Sequence, residues 1–573
     1  MKNIVLKKSG KLIVAFIILL SCNKIYAQEP AWKWAKSYGN DLNMGCRNSV
    51  VDNQGNIYTV GGYSSSNITF GQFVLSNTPG SYSSYVIKQN NLGEVLWAKS
   101  YAESIYSTTG FSKIRLDSEG NLIIIGTYKT EIILDAITLL QSSSSTNIMV
   151  FKMDNQGNVL WAKSSMNTNL SNANFSAQNL ILDENNNIYL TGKFQGTNFN
   201  FGDLSVSTTN STNSLQELFL AKLDSEGNAQ WIKTIEGDNT EYISSLLIDL
   251  DGNVYCSGYY YSSMLNIDSE TLINTISDHT RPDLFIAKYN QAGDFIWAKT
   301  AGTIDDDKIT GLSIDQNGNL FGIGSFSEET LDLNGTSLIG NGSCANSFIF
   351  RFDADFNIIW AKSWGFVDGW GYNPNNTGLA MCSDNFGSTY LLGNFAQNFN
   401  FENQVFSNTG LSADLYLAKM DSNGNLINKL QISGADNEFG SEIVVDNNQN
   451  LYISGTFKSP VLSFGEIDIT NHYPDVYDLF VAKLAFQETN SLEEKIEENL
   501  VSVYPNPNKG SFEIQNPTKQ ELNFELKNAL GQVVYQEKIV SEKQKIELKL
   551  EKGAYFATFN NEKDSFEEKV IVH

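Results

Sequence analysis

Short apolar runs broken by Gly, Asn and Asp turns recur along most of the chain, and long helices are not expected. A hairpin of the form Asp-x-x-Gly-Asn-apolar-aromatic returns with a glycine five residues after its Asn or equivalent, at Gly61, Gly126, Gly192, Gly258, Gly324, Gly393 and Gly455. The intervals are 65, 66, 66, 66, 69 and 62 residues, which marks one structural unit repeated seven times. Two residues beyond each glycine sits an aromatic: Tyr63, Tyr128, Phe194, Tyr260, Phe326, Phe395 and Phe457. A second hairpin follows, with a basic residue at Lys88, Lys152, Lys222, Lys288, Arg351, Lys419 and Lys483, then a Gly/Asn turn and a Trp-Ala-Lys strand. Such turns supply the positive φ of tight hairpins, and runs such as Leu122 to Ile125 suit strands covered on both faces.

Two hairpins make a four-stranded unit, and seven such units predict an all-β chain whose main part is a seven-bladed β-propeller at residues 31–487. Trp-Ala-Lys strands start at Trp34, Trp97, Trp161, Trp231, Trp297 and Trp360, with a degenerate copy at Ile427. The first precedes any Gly-aromatic hairpin, and the last hairpin strand, around Val481, has none after it. The N-terminal strand is therefore expected to close the seventh blade and leave no open edge. The repeats resemble a bacterial β-propeller repeat family with an Asp-x-x-Gly-Asn-x-Tyr-x-x-Gly core. Blade three departs from it with Asn186 in place of Gly, and blade six with Ser388 in place of Asn, which puts the turn geometry there in question.

Composition shifts near residue 488. The last 86 residues hold 27 of the chain's 103 charged residues, a density about twice that of the rest, so an acidic linker at 488–499 and a small C-terminal β-sandwich at 500–573 are expected. Val503-Tyr504-Pro505-Asn506-Pro507-Asn508-Lys509-Gly510, Leu530-Gly531-Gln532, Gly553-Ala554-Tyr555 and Lys569 to Val572 resemble the type A sorting domain of the type IX secretion system of Bacteroidota. Tyr504, Pro505, Asn506, Pro507 and Gly510 carry its first landmark. The resemblance implies recognition by the type IX secretion machinery, delivery across the outer membrane, and release or attachment at the cell surface. At the other end four lysines, an apolar run from Leu12 to Leu20 and Ile25-Tyr26-Ala27 read as a secretory signal at residues 1–27. A rival reading makes Leu19-Leu20-Ser21-Cys22 a lipoprotein box with Cys22 lipidated. Nine apolar residues are too few to span a bilayer as a helix, so no transmembrane helix is expected.

The formal charge of −25 disfavours nucleic acid as a partner. Three His and five Cys leave little for zinc or His-based catalysis. Cys46, Cys256, Cys344 and Cys382 fall at unrelated repeat positions and read as buried small hydrophobes rather than a disulfide framework. Asp249-Leu250-Asp251-Gly252-Asn253 approximates a fragment of a calcium loop, but the recurring turn aspartates read as caps for backbone N–H groups, and no cofactor is expected. The repeated tryptophans read as packing, and the basic residues as stems packed beside them with ammonium groups turned to water or to turn carboxylates. Specificity is expected where the repeat breaks: in Tyr259-Tyr260-Tyr261, and in the loop from Trp364 to Tyr372 with Trp370 between them. Trp364, Trp370, Tyr372 and Tyr260 are accordingly the expected ligand contacts. With no recognisable acid/base cluster, the chain reads as a monomeric, non-catalytic extracellular binding or adhesion propeller for polysaccharide or protein. The alternative is a secreted carbohydrate-active enzyme with an acidic site on one face.

Overall fold

The computed structural model describes residues 30–78, 80–102, 110–129, 131–140, 145–166, 173–208, 215–340, 346–366, 377–396, 398–401, 404–408, 412–486, 502–504, 508, 510–516, 521–528, 531–541, 543–560 and 565–572. The expected signal segment and acidic linker lie outside them. The chain divides into two compact units between Gln487 and Glu488. No helix among the described residues is long and apolar enough to cross a membrane.

In the first unit the described residues form seven four-stranded antiparallel meanders. The fourth runs outward through Glu241–Ile248, Val254–Tyr260, Asp283–Tyr289 and Phe295–Ala301. The seven inner strands are Met44–Val51, Phe111–Leu116, Ser176–Leu182, Glu241–Ile248, Lys308–Ile314, Thr377–Ser383 and Glu438–Val445. Each touches the next, and the last touches the first, so the sheets stand around a ring as the blades of a β-propeller. Middle strands such as Ile57–Tyr63 are buried along their whole length, because every blade is covered by a neighbour on each face. The N-terminal strand Pro30–Tyr38 pairs antiparallel with Asp478–Phe486, Ala35 opposite Ala482 and Lys36 opposite Val481, and supplies the outer strand of the last blade.

The turn aspartates act as caps. In the first blade Asp52 Oδ1 accepts the N–H groups of Gln54 and Asn56 at 2.9 and 2.8 Å, while Oδ2 accepts from the Asn56 amide and the Tyr58 hydroxyl. This holds the left-handed residue Gly55 at φ 76°. The divergent copies keep the geometry: Asn186 takes φ 62°, and Asp384 still accepts both backbone bonds, at Phe386 and Ser388.

An additional short hairpin, absent from the expected four-stranded plan, interrupts every blade between its second and third strands. Three of these hairpins extend the outer edge of the preceding blade: Asn198–Phe201 on Val159–Met166, Met264–Ile267 on Ala229–Gly237, and Phe399–Phe401 on Ile358–Phe366. They cover backbone groups that would otherwise form an open sheet edge.

In the second unit a three-stranded sheet and a four-stranded sheet enclose one core. Val503, Phe512, Ile514 and Ile546 face Leu522, Phe524, Leu526, Phe559 and Val570, which makes a β-sandwich.

Candidate functional site

Each inner strand carries a β-bulge at the same register, between Cys46 and Asn48 in blade one, Phe111 and Lys113 in blade two, and Ala177 and Asn179 in blade three. A bulge leaves one residue out of the ladder and re-aims its side chain. The residues so freed are Arg47, Ser112 and Gln178, and these three line a single cleft of about 380 Å³ together with Tyr82, Phe111 and Lys113. Glycines shape its wall: a Cβ at Gly62 would stand 2.0 Å from the Tyr82 hydroxyl, and one at Gly110 would stand 3.2 Å from the Tyr82 ring. The half-buried phenol therefore lies flat across bare backbone.

The electrostatics of the cleft oppose those of the whole chain. Arg47 is exposed, and no hydrogen bond or ion pair engages it among the described residues. Lys113 Nζ lies 3.9 Å from Glu442 Oε2. Arg115 donates to the Asn48 side-chain oxygen and to the carbonyl of Ile114, both at 2.8 Å, and the Asn48 amide donates to Glu442. Burial pulls the pKa of both Lys113 and Arg115 down, and Glu442 opposes that fall. Lys113 and Arg115 thus lean on the one carboxylate of Glu442 where blades seven, one and two meet, and Arg47 stands beside them without an ion pair among the described residues, in a protein of net charge −25. An anionic group entering the cleft would meet uncompensated positive charge in a partly desolvated setting, where Coulomb attraction is strong.

A second constellation lies on blade four. The Tyr242 and Tyr259 rings stack at 4.9 Å, and Tyr261 meets Tyr259 edge-on at 6.2 Å. Lys193 Nζ sits 3.2 Å from the centre of the Tyr242 ring, and Lys308 Nζ 5.2 Å from that of Tyr259, a cation–π ladder. Asp306 ties Lys308 and Arg281 to its edge at 3.0 and 3.2 Å.

The expected contact residues fare differently. Tyr260 is fully buried, its hydroxyl bonded to Thr300, because it occupies the inward aromatic position repeated in every blade. Trp364 is 6% exposed and packs edge-on against Phe401 at 4.3 Å. Both are core residues, not ligand contacts. Trp370 and Tyr372 lie outside the described residues. The half-buried Tyr259 and Tyr261, together with Arg47, Tyr82 and Lys113, take their place as the accessible non-repeated side chains. Asp249 has no oxygen to spare for calcium: Oδ1 accepts from Asp251 and Asn253, and Oδ2 from the Asn253 amide and the Tyr255 hydroxyl. Cys46, Cys256 and Cys382 are free thiols, with the first two pushed up to about 11 and about 12 by burial; Cys344 lies outside the described residues.

In the C-terminal unit Gly510 sits at φ 87°, donates to the Asn508 side chain at 2.7 Å, and has no room for a Cβ, which would come 2.3 Å from the Leu548 carbonyl. Tyr504 ends the strand Ser502–Tyr504, paired through its backbone with Glu513; Pro505, Asn506 and Pro507 lie outside the described residues.

Residues 502–573 match the secretion system C-terminal sorting domain family. This domain directs cargo of the type IX system, and the protein is a secreted or cell-surface β-propeller protein. A stretch of 233 residues is 25% identical to an uncharacterized WD repeat-containing protein of Acanthamoeba polyphaga mimivirus, covering 36% of this chain and 16% of that relative. Among solved structures, PorZ, a surface component of the type IX secretion system of Porphyromonas gingivalis, aligns over 94% of this chain and all of its own at 11% identity and TM-score 0.18. A catalytically inactive virginiamycin B lyase from Staphylococcus aureus aligns over 79% of this chain and 99% of its own at 7% identity and TM-score 0.28. The propeller assignment itself rests on the strand pairing described above.

Proposed function

We propose that this chain, exported through its C-terminal sorting unit at residues 500–573, is a monomeric, non-catalytic binding or adhesion module. Its seven-bladed propeller at residues 31–487 takes hold of an acidic extracellular polysaccharide in the cleft over blades one to three. The observation that carries this reading is the local surplus of cations, Arg47, Lys113 and Arg115 against the single carboxylate of Glu442, inside an acidic protein. A guanidinium reads a planar carboxylate through two parallel hydrogen bonds, and the flat Tyr82 phenol offers an apolar face beside it. Among the described residues no carboxylate lines the cleft, which favours binding over cleavage by a pair of acids.

Purified full-length protein is expected to bind polygalacturonate and not neutral dextran, with affinity falling as salt rises. Dextran sulfate, run in parallel, separates a preference for carboxylate from one for sulfate. Arg47→Ala removes an exposed side chain with no hydrogen-bond or ion-pair partner among the described residues, so it should leave the melting temperature unchanged. Its binding should weaken about tenfold, or ~1.4 kcal/mol. Equal affinity for neutral dextran, or an Arg47→Ala protein that binds like the parent, would defeat the proposal. Shortening of polygalacturonate during incubation would make the cleft an active site instead.

A further inference from the structure

The side chains freed by the bulges are used differently on the two sides of the ring. Ser244, Thr310 and Ser441 stand at the bulge register of blades four, five and seven. Each hydroxyl donates to a backbone carbonyl, that of Ile309, Ile323 and Cys46 respectively. In the cleft this pattern stops. Neither Arg47 nor the Ser112 hydroxyl forms a hydrogen bond among the described residues. Gln178 accepts the Ile243 N–H at 3.2 Å through Oε1, and its amide nitrogen has no acceptor among the described residues. The half-buried Thr127 lines the same cleft, and its hydroxyl is likewise uncommitted there. A fold that ties this register to backbone on one side of the ring and leaves it loose in three consecutive blades keeps donors and acceptors ready for a ligand.

The loose groups are not alike from one end of the cleft to the other. Positive charge gathers toward blades seven and one, where Arg47 is exposed, Arg115 bonds Asn48, and Lys113 leans toward Glu442. Toward blade three the lining is Ala177 and Gln178, facing Ser112 and Thr127 of blade two, and none of these carries a charge. Lys193 of blade three does not supply one, because it is 4% exposed, lies 3.2 Å from the centre of the Tyr242 ring, and is attracted by Glu241. Its charge is thus turned toward blade four and compensated there.

This asymmetry has a consequence for what binds. Packed sheets stand about 10 Å apart, so two blade steps separate the ends of the cleft by more than one pyranose ring spans. A carboxylate at the Arg47 end gains paired hydrogen bonds from a guanidinium. A carboxylate at the Gln178 end would give up water with no cation to replace it, which is costly. A neutral sugar meets no such penalty, since its hydroxyl and amide groups exchange uncharged hydrogen bonds with an amide and two hydroxyls.

We propose, on the reading of this cleft as a site for acidic polysaccharide, that it holds two unlike sugars side by side. An acidic sugar sits on Arg47 and Tyr82 at blade one, and a neutral, hydroxyl- or amide-bearing sugar sits on Ser112, Thr127 and Gln178 toward blade three. The preferred polymer therefore alternates acidic and neutral sugars and does not carry a carboxylate on each one.

Calorimetric titration of the full-length protein at one ionic strength tests this with two probes: a hyaluronan hexasaccharide, in which glucuronate alternates with N-acetylglucosamine, and hexagalacturonate, in which each sugar is acidic. Summed charge alone would favour hexagalacturonate, whereas a neutral second position should make hyaluronan bind about tenfold tighter. Gln178→Lys places a cation at the blade-three end and should reverse that order. Hexagalacturonate binding at least as tightly as hyaluronan to the parent, with Arg47→Ala still weakening it, would overturn the neutral position and leave the anion site standing. Binding of neither probe would overturn both readings. A Gln178→Lys protein that melts like the parent and keeps the parent's preference would overturn the placement at blade three. Ser112→Ala removes a hydroxyl with no bond among the described residues, so it tests the same end without disturbing the fold: hyaluronan affinity should fall about threefold, and an unchanged affinity would count against the placement in the same way.

Discussion

One side chain repeated round the ring does much to fasten blade to blade. The indole N–H of Trp34 donates to the Asn91 carbonyl in the adjoining turn at 2.9 Å, and Trp97, Trp231, Trp297 and Trp360 reach Asn155, Gln291, Ala354 and Ser422 in the same way. The neighbouring cation joins it: Lys88 and Lys288 donate to the Asn155 and Ala354 carbonyls that the indoles use, while their ammonium groups lie 4.9 Å from the Tyr58 and Tyr255 rings. The turn must pass close under the indole, and this is what its glycine permits. Gly424, at φ 79°, leaves 2.8 Å between a new Cβ and the Trp360 ring, whereas Gly120, at φ 81°, faces open space. Gly120→Ala should therefore cost only the ~1 kcal/mol of a left-handed alanine. Gly424→Ala should cost roughly 2–3 kcal/mol by adding displacement of the indole; comparative urea melts measure the difference, and equal losses would contradict the close approach. Packing roles of this kind were legible in the sequence because they recur at one register. Tyr260 was legible too, since it stands two residues after a repeat glycine, and reading it with its neighbours Tyr259 and Tyr261 as one exposed triplet ignored the alternation of a strand. Arg47 was not legible, because its release from the ladder comes from a bulge that leaves no mark in residue type, and Lys113, paired just beyond the next bulge, reads in sequence as one more strand lysine.

At the scale of elements, the hairpins announced themselves through capped turns, and the turn survived substitution of its Gly or Asn because the aspartate holds the backbone N–H groups. The inserted hairpins went unseen. Their strands are four residues or fewer, as in Asn198–Phe201 and Leu204–Ser207, and their two-residue turns, some with Gly and others with Asp in the left-handed position as at Asp135 and Asp268, look like ordinary loops between longer strands. The closing strand was legible by counting: one Trp-Ala-Lys strand too many at the start matched one too few at the end. Removing residues 28–38 would strip Asp478–Phe486 of its outer partner and expose its edge. The shortened protein should melt at least several degrees lower and become prone to association, as calorimetry and light scattering would show; an unchanged melting profile would mean that the first strand is dispensable to the ring.

For the whole molecule, the division of labour follows the division into units. The core of the C-terminal sandwich is built from its own residues, Val503 to Val572, and the propeller draws its buried residues from its own blades. Deleting residues 500–573 should leave the propeller's circular dichroism and melting temperature unchanged while abolishing its appearance outside the outer membrane in cell fractionation. Surface delivery of the truncated chain would show that export does not depend on the sorting unit. The clasp between Pro30–Tyr38 and Asp478–Phe486 also has a mechanical aspect. The strands run antiparallel with Pro30 opposite Phe486, so the two chain ends leave the ring side by side. Tension drawing residue 30 away from residue 486 would load the ladder one hydrogen bond at a time, from its open end inward, as a zipper is opened. A pull applied along the strands would instead have to shear all of those bonds together. A surface protein of this build is strong against shear along that seam and weak against peeling of its two ends.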